Sequence, residues 1–176
     1  DERAEMARRA LADQALSVLA SAQDGAIGAG LPATFDSARA RWGPPSPPVS
    51  AYVARVLLRE HVLDEPWQAR LHKLLHWLVG VQRADGLIQD TTLAAPSRPG
   101  GLVATGNALS AWCDWQQERD DPRIAAAITR SATTLADLLA HDAARSCASH
   151  GVIVPDFLPA AEAARDVVVA ESRAFE

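Results

Sequence analysis

The side chains best placed to do chemistry are polar residues recurring at helical spacing and a second set lying among prolines and glycines. Asn107, Ser110 and Asp114 recur at intervals of three and four, which puts them on one helix face. Tyr52, Arg55 and Arg59 do the same earlier in the chain, and Glu162 and Asp166 near its end. A guanidinium such as Arg55 or Arg59 can receive an anionic group, and a carboxylate such as Asp114 or Asp166 can act as acid, base or cation stabiliser. A solvated helix face would give the same pattern. The second set is Asp36, Arg39, Arg41, Trp42, Gln89, Asp90, His150 and Asp156. Of these, His150 and Asp156 also suit turns.

His72 and His76 are four apart, a spacing able to bind a metal. They fall away from the side carrying Leu71, Leu74 and Leu78, and no third ligand is visible in sequence. They read as two exposed helix histidines, so neither a metal nor a cofactor is expected. Cys113 beside Asp114 lacks the spacing of a nucleophile pair and reads as a packed thiol. Asp120-Asp121 runs directly into Pro122 and reads as a helix cap.

Composition narrows the class. The chain has 176 residues, 48% of them hydrophobic, enough for one domain with a real core. A net charge of -5 argues against a nucleic-acid partner. Apart from Lys73 every basic side chain is arginine, and alanine is abundant, which favours helix and suggests a GC-rich bacterial genome. No apolar run reaches the ~20 residues of a membrane span, and the two cysteines make no disulfide framework. A cytoplasmic protein is expected.

These residues must be held by helices. Trp67, Leu71, Leu74, Leu75, Leu78 and Val81 share one face of a helix that ends at Gln82-Arg83-Ala84-Asp85-Gly86. A first helix, from Glu2 to Gln23, ends similarly at Gln23-Asp24-Gly25. A second is expected from about Val49 to His61 with Val49, Val53, Val56 and Leu57 as its apolar side. A fourth runs from about Leu102 to Glu118 on Thr105, Ala108, Leu109, Trp112, Trp115 and Gln116. A fifth runs from Pro122 to about Leu139, and a sixth from about Leu158. Between them lie loops over 26–48, 87–101 and 140–155, and the prolines of the first leave it no regular element. The helix-ending Gln23 and Gln82 are 59 apart and the helix-starting Pro66 and Pro122 are 56 apart. Matched periods of this kind mean stacked helical hairpins, approximately 2–63, 64–120 and 121–176, within one domain spanning 1–176.

Leu78-Val79-Gly80-Val81-Gln82-Arg83-Ala84-Asp85-Gly86 resembles the helix endings of the α/α-toroid superfamily, which includes terpenoid cyclases, protein prenyltransferases and glycan-processing enzymes. Thr105-Gly106-Asn107-Ala108-Leu109-Ser110-Ala111-Trp112 looks like their following inner helix. The resemblance implies an all-α fold of hairpin repeats, about six helices forming a partial (α/α) toroid, with every second helix facing a shared cavity. A full toroid needs about six hairpins, so a second copy or a further toroid domain would complete it. The sequence has neither an Asp-rich cyclase motif nor a prenyltransferase-like zinc set.

The resemblance and the long loops together imply a small-molecule enzyme of cyclase or isomerase–lyase type, working at the loop-bearing end of the inner helices. The expected general acids are Asp90, Asp114 and Asp156. The expected substrate-binding residues are Trp42, Tyr52, Arg55, Asn107 and His150, the two aromatics suiting a sugar or a cationic intermediate. A carbohydrate-active glycosidase or lyase is the alternative, and a non-enzymatic protein-interaction module is the rival class.

Overall fold

The computed structural model describes residues 2–26, 28–59, 63–88 and 98–149, with backbone alone for 98–102 and 138–149. The fold is all-α. Helix α1 spans Glu2–Asp24, α2 Pro47–Arg59, α3 Glu65–Val81, α4 Arg98–Gln116 and α5 Pro122–Ser149. The expected sixth helix, with Glu162 and Asp166, lies outside the described residues.

Local chemistry sets the helix starts. Asp64 caps α3 by accepting the Trp67 amide on Oδ1 at 3.0 Å, with Pro66 in the first turn. Asp121 caps α5 in the same way, taking the amides of Arg123 and Ile124 at 3.0 and 3.3 Å. Helix α5 runs ten residues past the expected end at Leu139, because no glycine or proline interrupts it before Gly151.

The core gathers around α4, which packs most extensively on α2 and next on α5. Trp112 is fully buried and donates its indole N–H to the Leu75 carbonyl at 3.3 Å. The same core cluster holds Leu71, Leu75 and Leu78 of α3 and Ile124 and Ile128 of α5, all buried. Truncating a tryptophan buried like this costs about 3–5 kcal/mol.

The seam between α2 and α4 is made of small residues: Ser50, Ala51 and Ala54 meet a helix carrying Ala104, Ala108 and Ala111, all six fully buried. Small side chains let two helices approach closely. This corrects the expected apolar side of α2. The helix turns its alanines and Leu57 inward and leaves Val56 exposed, with Val49 and Val53 half-buried.

The connection from α1 to α2 does contain a regular element, against expectation. Strands β1 (Phe35–Asp36) and β2 (Arg41–Trp42) pair antiparallel, Phe35 opposite Trp42 and Asp36 opposite Arg41. Pro32 and Pro45 extend the same register as an antiparallel bridge, and the flanking bonds are donated by the Gly43 and Ser46 amides, so the pairing needs no proline N–H. Gly30 of this connection lies against the Trp77 ring, where a Cβ would come within 2.6 Å of ring carbons.

Helix α1 is anchored at its C-terminal end. Ala22 and Gln23 are buried, Arg70 of α3 grips the Asp24 carboxylate at 2.6 and 2.8 Å, and Met6 and Leu11 farther back are 57% and 66% exposed.

Candidate functional site

Helices α2 and α4 place Tyr52, Arg55 and Asn107 on one connected face. Arg55 is half-buried and donates from Nη1 to Asn107 Oδ1 at 2.9 Å, linking residues 52 apart in sequence. Tyr52 is exposed one turn before Arg55, Val56 is exposed beside it, and Val103 is exposed one turn before Asn107. Ser110 and Asp114 continue the stripe along α4, both half-buried. Thr105, Ala108, Trp112, Trp115 and Gln116 are buried on the other side as expected, and Leu109 is half-buried.

The result is a face with a fixed cation, an amide, a carboxylate farther along and an apolar border. A guanidinium held by a neighbouring carbonyl oxygen is oriented to take an anionic group with its remaining donors. Two open recesses among the described residues lie elsewhere. One is lined by α1 and α3 near Leu16 and Trp67, the other by Asp24, Gly28 and Arg70.

The other expected site residues fall differently. Trp42 is half-buried, tilted against Phe35 with ring centroids 4.8 Å apart, and sits over Gly25. It therefore packs the hairpin against the end of α1, and Asp36 pairs with Arg39 at 2.8 Å in the same hairpin. Asp90, His150 and Asp156 lie outside the described residues.

A second cluster brings together residues the sequence reading kept apart. His72 and His76 of α3 both aim Nε2 at Oδ2 of Asp121, at 3.2 and 2.7 Å, so the cap of α5 brings a third donor side chain to the pair. His72 is exposed, but His76 and Asp121 are half-buried. The His72 ring stacks on Trp115 at 5.3 Å with planes 9° apart, and the Arg119 guanidinium lies 4.1 Å from the Trp115 ring centre. Burial pushes the Asp121 carboxyl pKa up. Hydrogen bonds from His76, His72 and the Ile124 amide, with the charge of His76, outweigh it and hold the group at about 2. Chemically, the three side chains offer two imidazole nitrogens and one carboxylate oxygen within 4.8 Å of one another. A signal was present in the sequence: the acidic-then-proline starts at Asp64 and Asp121 mark matching helices, α3 and α5, and so hint that they are neighbours.

Compared with the models of known protein families, with curated proteins and with solved structures, the chain matches none.

Proposed function

We propose that the chain is a partial α/α-toroid domain of a small-molecule enzyme, of cyclase or isomerase–lyase type, whose substrate lies on the α2–α4 face. The Arg55–Asn107 bond carries this reading, because it fixes a cation among exposed Tyr52, Val56 and Val103. Arg55 receives an anionic headgroup, the apolar border receives a hydrocarbon part, and Asp114 is the proton donor or cation stabiliser.

The toroid assignment draws support from two connections built alike. The Leu31 amide donates to Ser50 Oγ and the Ile88 amide to Thr105 Oγ1, each at 2.8 Å. In both cases the segment following one helix is tied to the early part of the next.

The test is titration of isotope-labelled protein with a prenyl diphosphate, using inorganic diphosphate as the headgroup-only control. Amide shifts centred on Tyr52, Arg55 and Asn107 are expected, with affinity on the order of tenfold lower in Arg55→Ala. Shifts elsewhere, or an affinity untouched by that change, would count against the reading.

The rival reading, an interaction module, rests on a different observation. Met6, Leu11 and Val18 are all more than half exposed along α1, and a second copy or a further toroid domain would cover them. Analytical ultracentrifugation across a wide concentration range tests whether this α1 surface pairs, and the titration above then separates the two readings, because a toroid completed by a second copy is also a dimer. A dimer that Leu11→Glu returns to monomer, in a chain with no diphosphate-induced shifts at Tyr52, Arg55 and Asn107, supports the module.

A further inference from the structure

We infer that His72, His76 and Asp121 form a binding site for a single divalent transition-metal ion of zinc type. The site is separate from the α2–α4 face and does not depend on its function.

The donor set comes first. Two imidazoles at positions i and i+4 of one helix, joined by a carboxylate from another element, are ligands that zinc and its neighbours accept. Zinc binds nitrogen at about 2.0–2.1 Å and carboxylate oxygen at about 2.0–2.2 Å, so ligand atoms around a tetrahedral ion stand about 3.4 Å apart. The His72 contact of 3.2 Å already lies near that edge length. The His76 contact of 2.7 Å needs to open by roughly half an ångström or slightly more, within the reach of side-chain torsions. All three donor atoms lie within 4.8 Å of one another.

The ligands are also pre-positioned. Asp121 spends Oδ1 on the Arg123 and Ile124 amides, which fixes the carboxylate and leaves Oδ2 pointing at the histidines. His72 is held in plane by Trp115, itself covered by Arg119. A tie between α3 and α5 would need one histidine, whereas two converge here on one oxygen. Partial exposure of His72 gives an ion a way in from solvent, and three protein ligands leave at least one position for water.

The experiment uses the whole chain, without a histidine tag and stripped by chelator, titrated with Zn²⁺ by calorimetry and with Co²⁺ by visible absorption. One ion per chain is expected, with the ligand-field bands of a nitrogen–oxygen site for Co²⁺. The changes His76→Ala and His72→Ala should each lower affinity on the order of 100-fold. So should Asp121→Asn, which keeps the helix cap and removes the charged ligand. Circular dichroism verifies that each variant is folded. Absence of Zn²⁺ binding in the unaltered chain overturns the proposal. So does unchanged affinity in Asp121→Asn or in the double histidine variant, the latter being the result if cysteines hold the zinc.

Discussion

Gln23 and Gln82, 59 residues apart, stand just inside or just past the ends of α1 and α3 and hold corresponding partners. Gln23 Nε2 donates to the Ala29 and Arg70 carbonyls at 3.0 and 3.2 Å, and its Oε1 accepts from Arg70 at 3.4 Å. Gln82 Nε2 donates to the Gly86 and Ala127 carbonyls at 3.2 and 2.9 Å, and its Oε1 accepts from Arg130 at 2.6 and 3.0 Å. Each glutamine thus ties the connection that follows it to a neighbouring helix, α3 for Gln23 and α5 for Gln82. In each case a single side-chain amide clamps one helix end to its neighbour.

The two clamps should differ in worth. Gln82 sits among α3, its loop and α5, so Gln82→Ala leaves several polar groups short of partners and should cost about 2 kcal/mol of global stability. Gln23→Ala should mainly loosen α1, whose farther residues are exposed. Chemical denaturation reports the first effect and amide hydrogen exchange along α1 the second. Equal loss of global stability in both variants would show that α1 belongs to the cooperative core.

Gly86 cannot be replaced. Its φ is +83°, and a Cβ there would lie 2.3 Å from the Arg130 carbonyl oxygen and 3.0 Å from the Ser131 nitrogen, both backbone atoms unable to yield. Gly86→Ala should therefore cost more than about 3 kcal/mol. Gly80 and Gly106 are exposed helix positions with open space where a Cβ would go, so alanine at either should stabilise by about 0.5–1 kcal/mol. Thermal unfolding of the three variants checks both signs at once.

Arg55 and Asn107 should be energetically coupled. If their bond is made in solution, Arg55→Ala and Asn107→Ala will not add, and a double-mutant cycle should return about 1 kcal/mol of interaction. A coupling near zero, read from denaturation curves of the four proteins, would remove the observation on which the small-molecule reading stands.

Features written in local chemistry were legible in the sequence, and features decided by neighbours were not. Asp64 with Pro66, and Asp121 with Pro122, announce helix starts because capping involves residues within three positions. The buried side of α4 was legible because tryptophans mark it. The exposure of Val56 was not. The seam it lost to is made of alanines, whose weak apolar signal says nothing of how closely two helices can approach. The His72–His76–Asp121 cluster was missed for a related reason. Asp121 lies 45 residues from His76, and only the packing of the α5 start against α3 puts them in contact. Asp121 was read correctly as a cap, but its second oxygen has a separate use.

That second oxygen also contributes to how the fold responds to acid. In the folded chain the Asp121 carboxyl is held at about 2 against an ordinary 3.8. A pKa lowered by folding means the folded state binds fewer protons. Its stabilisation is thus complete above about pH 4 and disappears as the pH falls through 2. The shift corresponds to about 1–2 kcal/mol once screening by nearby solvent is allowed for. Asp121→Asn keeps the cap on α5 and removes the titrating group, so its acid limb should be flatter. In chelator-treated protein, denaturation between pH 5 and 2 should show the unaltered chain more stable at the upper end and the two converging at the lower. A gap that stays constant over that range would mean the histidines contact Asp121 without favouring its charge.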